Sequence, residues 1–457
     1  MKLKILSLHL FGISFFKSSF PFAVFLMLTF IPAFAQFSGE GAGMENDPYL
    51  ITSVDELQEM NDDLSAHYEL ANDIDASATA DWNDGEGFLK IGPTNINPFL
   101  GAFDGNNYQI SGLFINLQQV NIGMFGSVGD GAIIKNAHLV DVDITGKTNV
   151  GGLVGFNFGT VTNSFVSGIV KGYWNAGCIL GANAEHEGAS GLMELSYSTC
   201  TLEGIPDNGS PSARIGGLVG WNPGGKIVKS YSMANISGGN DVGGIVGNFS
   251  GYIEEDEYGY VGNTYFAGTI SGDSNTGGLF GTYYAGGGDV SAISSYWDTE
   301  TTEMTIGVAT TEEGESLNII GLTTSEMQTQ SSFEGWDFED TWSIEEGEGY
   351  PYLQSNPENI AASNEKTYYP EKFALLQNYP NPFNPMTNIS YSLPKAAQVH
   401  LQVFDMLGRN VATLVNERKA AGRYTVRFEA GNLSSGMYIY RIDAGNFVQT
   451  RKLMLIK

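Results

Sequence analysis

Apolar and polar residues alternate in short runs through the middle of the chain, and the runs are punctuated by a returning cluster of glycines. GGLVG begins at Gly151 and Gly216, GGIVG at Gly243 and GGLFG at Gly277. A degraded copy, GCILG, begins at Gly177, and a looser one, IGMFG, at Ile122. The starts lie 29, 26, 39, 27 and 34 residues apart. Between them NSFVSGIVKG (163–172), LSYSTCTLEG (195–204), KSYSMANISG (229–238) and NTYFAGTISG (263–272) align column by column. Alternation in units this short predicts strands, not helices. A period in this range predicts coils that stack because none can bury its apolar face alone. The glycine pairs are read as φ > 0 corners and as points of close approach between coils. The expected fold is all-β, a right-handed parallel β-helix solenoid.

The pattern changes at both ends. PYLITSVDELQEM (48–60) reads as a strand and then a short helix opened by the capping box Ser53-x-x-Glu56. That helix is expected to cover the first coil and block edge-to-edge association. A second capping box, Thr323-x-x-Glu326, precedes the aromatic stretch WDFEDTWSIEEGEGYPYL, which closes the repeat region. Beyond Pro370 the glycine repeats stop, and six or seven short alternating runs bounded by Gly, Pro or Asn predict an Ig-like β-sandwich. Residues 1–35 join Lys2, Lys4 and Lys17 to the apolar run Phe22–Phe30 and to Ala33-Phe34-Ala35. These are the parts of a secretory signal peptide, with cleavage expected between Ala35 and Gln36. The domains are therefore read as 1–35 signal peptide, 36–354 β-helix, 355–372 linker and 373–457 sandwich.

Three columns carry the candidate chemistry of the repeats. One is aromatic: Phe165, Tyr197, Tyr231, Tyr265 and, by extension, Tyr296. The next is small, Gly168, Cys200, Ala234 and Gly268; the last is aliphatic, Val170, Leu202, Ile236 and Ile270. An exposed ladder of rings would stack on sugars or grip a partner protein, whereas a buried one would be core. Strand parity points both ways. Counting back four residues reaches Val161, Ile227 and Val261, and counting forward five reaches the aliphatic column. The two cysteines, Cys178 and Cys200, are read either as buried thiols on neighbouring rungs or as a rung-to-rung disulfide.

Charge divides the chain as sharply as pattern does. Residues 36–370 hold 46 Asp and Glu against 8 Lys and Arg, a balance of −38. Residues 371–457 hold 5 against 11, or +6, and the first 35 residues add +3, giving the overall −29. Such an acidic body repels nucleic acid and anionic membranes. It suits loose association with calcium, for which Asp73, Asp75, Asp81 and Asp84 offer hard oxygen ligands in loops. The run Glu254–Glu257 reads as an exposed loop. No acidic column marks a carbohydrate-cleaving pair; Asp141 and Asp143, expected on one face of one strand, are the nearest approach. Arg214 is the sole arginine between residues 36 and 370, and so the sole candidate for an arginine base. His67, His138 and His186 show no metal-binding spacing.

NYPNPFNP (378–385), VFDMLGR (403–409), SSGMYIYRI (434–442) and the basic-apolar tail 451–457 occur in that order. Residues 373–457 thereby closely resemble the C-terminal sorting domain of the type IX secretion system of Bacteroidetes-like bacteria. The resemblance implies passage across the outer membrane, then surface attachment or release, with the secretion machinery as partner. YELANDIDAS, GAFDGNNYQISGL, the glycine series and GLTTSEM…W…GYPYL make residues 48–353 similar to bacterial surface proteins with GLUG-motif repeats. That resemblance implies a secreted β-helix, often assigned to adhesion. GCILG and the 39-residue step after it depart from the pattern and blur the register there. The expected protein is a monomeric, exported adhesin or binding protein for glycan or protein ligands. A polysaccharide-active enzyme and a passive structural coat are the alternatives.

Overall fold

The computed structural model describes residues 37–457 except 187–188, 252–258, 285–290, 312–316, 356–372, 376–377, 379–380, 394–396, 420–421, 432 and 446. The expected signal peptide with its Ala35–Gln36 junction, residues 356–372 of the expected linker and the acidic run 254–257 lie outside the described residues.

Parallel strands stack into a β-solenoid of about seven turns. Each turn visits three sheets in order, as Thr160–Thr162, Phe165–Gly177 and Leu180–Asn183 do. The first sheet has nine short strands, the second carries the long strands, and the third has seven. The register is the one that the repeats predict. Phe165 pairs with Tyr197, Tyr197 with Tyr231, Tyr231 with Tyr265 and Tyr265 with Tyr296. Val170, Leu202, Ile236 and Ile270 form a second continuous column. Like residues therefore lie directly over like, and one apolar core runs unbroken from Phe37 to Trp297.

The repeat glycines work differently from the expectation. None of them lies in the left-handed region; the φ > 0 corners are Asn149, Asn175, Arg214, Asp241 and Asn275, each two residues ahead of the repeat, with Asn121 in the earliest copy. Asparagine tolerates that region best among residues bearing a side chain. The glycines serve close packing instead. A Cβ on the fifth letter of each copy (Gly155, Gly181, Gly220, Gly247, Gly281) would come within 2.2–2.4 Å of the backbone at the corner one turn earlier. A Cβ on the first letter would strike the carbonyl of the residue three further on, as Val219 blocks Gly216 at 2.1 Å.

Cys178 and Cys200 form a disulfide across the interior, joining successive turns with Cα atoms 6.0 Å apart. Both capping boxes are present. The first opens the helix Val54–Glu59, whose Leu57 is buried in the solenoid core with the following Met60.

The C-terminal domain has its own core. It comprises an antiparallel sheet of three strands and another of four among the described residues. Its opening motif is tied to its last strand: Met454 N–H donates to Asn381 Oδ1 at 2.8 Å and Phe383 N–H to the Met454 carbonyl at 2.9 Å. The buried Asn378 donates its side-chain amide to Thr387 Oγ1 and its backbone N–H to the Tyr440 hydroxyl. In VFDMLGR, Asp405 closes a turn on Arg409 with an ion pair of 2.6 Å, leaving Leu407 80% exposed at the tip.

Two stability tests follow from the packing. Gly220→Ala should cost about 1–3 kcal/mol, since the methyl group meets rigid backbone. Cys178→Ser with Cys200→Ser should cost roughly 3 kcal/mol by freeing a loop of some 20 residues in the unfolded chain. Denaturant midpoints of the full chain check both.

Candidate functional site

The aromatic ladder is a covered surface. Phe165, Tyr197, Tyr231, Tyr265 and Tyr296 are each 5% exposed or less, yet they belong to a cluster separate from the solenoid interior. Adjacent rings stack with centroids 4.4, 4.9 and 4.8 Å apart from Phe165 to Tyr265. The segment after the last coil folds back over them. Trp342 lies 6.1 and 6.2 Å from Tyr231 and Tyr265, Phe333 lies 5.1 Å from Tyr296, and the Tyr265 hydroxyl donates to the Pro351 carbonyl. Burial pushes the Tyr265 hydroxyl pKa well up. Asp298 latches this segment: it caps Thr299–Thr302 and accepts from Thr324 Oγ1 at 2.8 Å and from the Tyr350 hydroxyl at 2.6 Å. Of the two readings of the five rings, ligand surface and core, the rings take the buried one. The rings do face outward from the coil, but a second layer seals them, and strand parity holds no information about that layer.

The acidic candidates are not drawn together. Asp73 accepts from Gln109 N–H, 36 residues on, and Asp75 from Ser77 N–H in a local turn, so both serve backbone donors. Asp81 ends one short 3-10 turn, Ser77–Asp81, and Asp84 is the middle residue of the next, Asn83–Gly85. Among the described residues no group of three or more His, Cys, Asp or Glu is placed to hold a metal ion. Asp141 occupies a left-handed bulge at φ 54°; it is exposed and Asp143 partly exposed, on either side of the buried Val142.

Arg214 stands out instead, at the corner between the second and third sheets. The corner residues form an amide ladder. Asn121 donates to Asn95 Oδ1, Asn149 to Asn121 and Asn175 to Asn149, each at 2.7 Å, and further on Asn275 donates to Asp241 at 2.8 Å. At the next rung after Asn175 an arginine replaces the amide, and the run stops. Asn175 Oδ1 is left buried with no hydrogen-bond partner among the described residues. An orphaned buried acceptor costs about 1–3 kcal/mol.

The guanidinium goes between two indoles. Its carbon lies 5.2 Å from the ring centres of both Trp174 and Trp221, inside cation–π range. Trp174 directly precedes the Asn175 corner, and Trp221 directly follows Gly220, the close-packed fifth letter, so two stiff backbone features aim the two rings. Trp221 Nε1 donates to Ser250 Oγ at 3.3 Å, and Tyr173 flanks Trp174 with centroids 5.9 Å apart. All four side chains, Tyr173, Trp174, Arg214 and Trp221, are partly exposed. Among the described residues Arg214 makes no hydrogen bond through its side chain and no ion pair. Burial lowers its pKa and the charge of Asp241 raises it, and a guanidinium stays protonated throughout. Arg214 entered the sequence reading only as a potential base; the two tryptophans did not enter it. Their signal was available, since each adjoins a repeat landmark.

Residues 377–457 match the secretion system C-terminal sorting domain. That domain sends the chain by type IX secretion to the cell surface. Over 156 residues the chain is 38% identical to halomucin of Haloquadratum walsbyi, covering 32% of this chain and 2% of halomucin. Over 129 residues it is 37% identical to a protein described as a Gly-rich membrane protein of Evansella cellulosilytica, covering 27% of this chain and 15% of that one. The chain thus spans only a small part of these relatives' own lengths. No solved structure matches it.

The sealed ladder yields a direct test. Trp342→Ala should destabilise the protein by about 3–5 kcal/mol, the usual range for emptying a buried aromatic site. Thermal unfolding checks this, and raised accessibility of the ladder tyrosines to chemical modification should accompany it.

Proposed function

We propose that the chain is a cell-surface or secreted glycan-binding protein, an adhesin whose solenoid holds its ligand at the Trp174–Arg214–Trp221 corner. The carrying observation is that platform itself: two partly exposed indoles against a guanidinium that no acceptor among the described residues occupies. Aromatic faces stack against the apolar C–H faces of sugar rings, and a few fixed polar groups select among hydroxyl patterns. A parallel solenoid supports such a site well, because hydrogen bonds to the turns on either side hold the backbone and little ordering remains to oppose binding.

Export supports the same reading. A sorting domain places the chain where glycans of neighbouring cells and matrices are met. Its expected signal peptide, ending at Ala35, would supply the first step across the inner membrane. The strongly acidic body keeps the exposed chain soluble and discourages nonspecific binding to nucleic acid.

Two measurements test this. On a glycan array followed by calorimetry, the full-length protein should bind saturably. Trp174→Ala and Trp221→Ala should each weaken that binding at least tenfold without a matching loss of thermal stability; unchanged affinity in both variants would refute the site. In the producing bacterium, a chain ending at residue 376 should remain inside the outer membrane, as read by surface labelling.

A further inference from the structure

We infer that the corner selects a sugar bearing a carboxylate, a uronate unit within an otherwise neutral glycan, with the carboxylate on the Arg214 fork and the sugar ring against the indoles. This rests on the glycan-binding reading and deepens it.

Three observations converge on Arg214. It is the sole arginine in a segment carrying 46 acidic residues, yet among the described residues none of them pairs with it. Asp241, whose charge acts on the guanidinium, already accepts from Asn275 and from Thr282 Oγ1 at 2.7 Å. A cation kept unpaired in so acidic a surrounding is held for an acceptor that comes from outside.

The second observation is local. An asparagine at this rung would accept the left-handed backbone, donate to Asn175 Oδ1 and continue the ladder, as Asn149 and Asn175 do. Arginine accepts the same φ of 61° but leaves that oxygen orphaned. Where a residue breaks a rule that its own repeat obeys, the break marks function more often than packing.

The third is geometric. Contact with two rings holds the guanidinium in place, and its planar fork matches a carboxylate through two parallel N–H···O bonds. Little orientational freedom is left to lose on binding. The balance of −38 over residues 36–370 argues against a densely charged polyanion, which long-range repulsion would turn away. An isolated carboxylate on a neutral chain meets less of that repulsion and keeps the short-range contact.

The experiment compares, by calorimetry on the full-length protein, an oligosaccharide containing one uronate with its carboxyl-reduced twin. Wild type should bind the acidic form at least tenfold more tightly. Arg214→Asn should abolish that preference while retaining affinity for the neutral form. It should also raise the melting temperature by about 2 °C or more as the ladder closes. Arg214→Lys should recover only part of the preference, having charge without the fork. Equal binding of both sugars by wild type, with Trp174→Ala weakening both, would overturn the carboxylate preference and leave the glycan site standing. Binding of neither sugar by wild type would overturn both. A preference undiminished in Arg214→Asn would remove Arg214 from the recognition.

Discussion

The contact between the last glycine of each repeat and the left-handed corner one turn earlier sets how closely the third sheet approaches the second. With hydrogen there, backbone meets backbone; with any side chain the turns would be forced apart. Much else is tied to that contact. It brings corner residues close enough for their amides to join into a ladder, and it holds the outer columns of two sheets beside the same corner. Arg214 can reach Trp174 on one sheet and Trp221 on the other only because the corner between them is this tight. The candidate binding platform is thus a local departure built on a strict rule.

The same logic explains the two ends of the solenoid. Stacked coils leave a bare core at each terminus and unpaired strand edges beside it. At the start, a short capped helix plugs the core with Leu57 and Met60. At the far end, the segment 323–353 folds back and covers an outer face, with Asp298 as its buried anchor. The aromatic ladder is the seat for that segment. Rings stacked at 4.4–4.9 Å present a flat apolar strip, and Trp342 and Trp336 lie against it.

The acidic solenoid and the basic sorting domain answer to different surroundings. Each has its own hydrophobic core, so each can keep its surface charge without reference to the other. The sorting domain invests its polar contacts in fixing short motifs: Asn381 of NYPNPFNP holds the final strand, and Asp405 and Arg409 stiffen the exposed Leu407 turn. Motifs scattered over 80 residues of sequence are neighbours in one small sandwich.

The amino-acid sequence by itself determined the stacked all-β architecture, the column register, both capping boxes and the sorting domain, because each rests on local alternation or short-range spacing that survives without knowledge of the rest of the chain. The role of the glycines was misassigned at one point. The corner conformation belongs to the residue two positions earlier, and an Asn, Asp or Arg ahead of each repeat was the legible clue. Only the tertiary structure decided what covers what. Burial of the Phe165–Tyr296 ladder depends on a segment that follows the last coil, and the Trp174–Arg214–Trp221 platform joins residues 40 and 7 positions away from the arginine. The disulfide belongs to the same class, since Cys178 of the degraded repeat and Cys200 of the small column become partners only once the pitch of the coil sets their separation. Periodicity reports which residues share a face; it carries no term for what later packs upon that face.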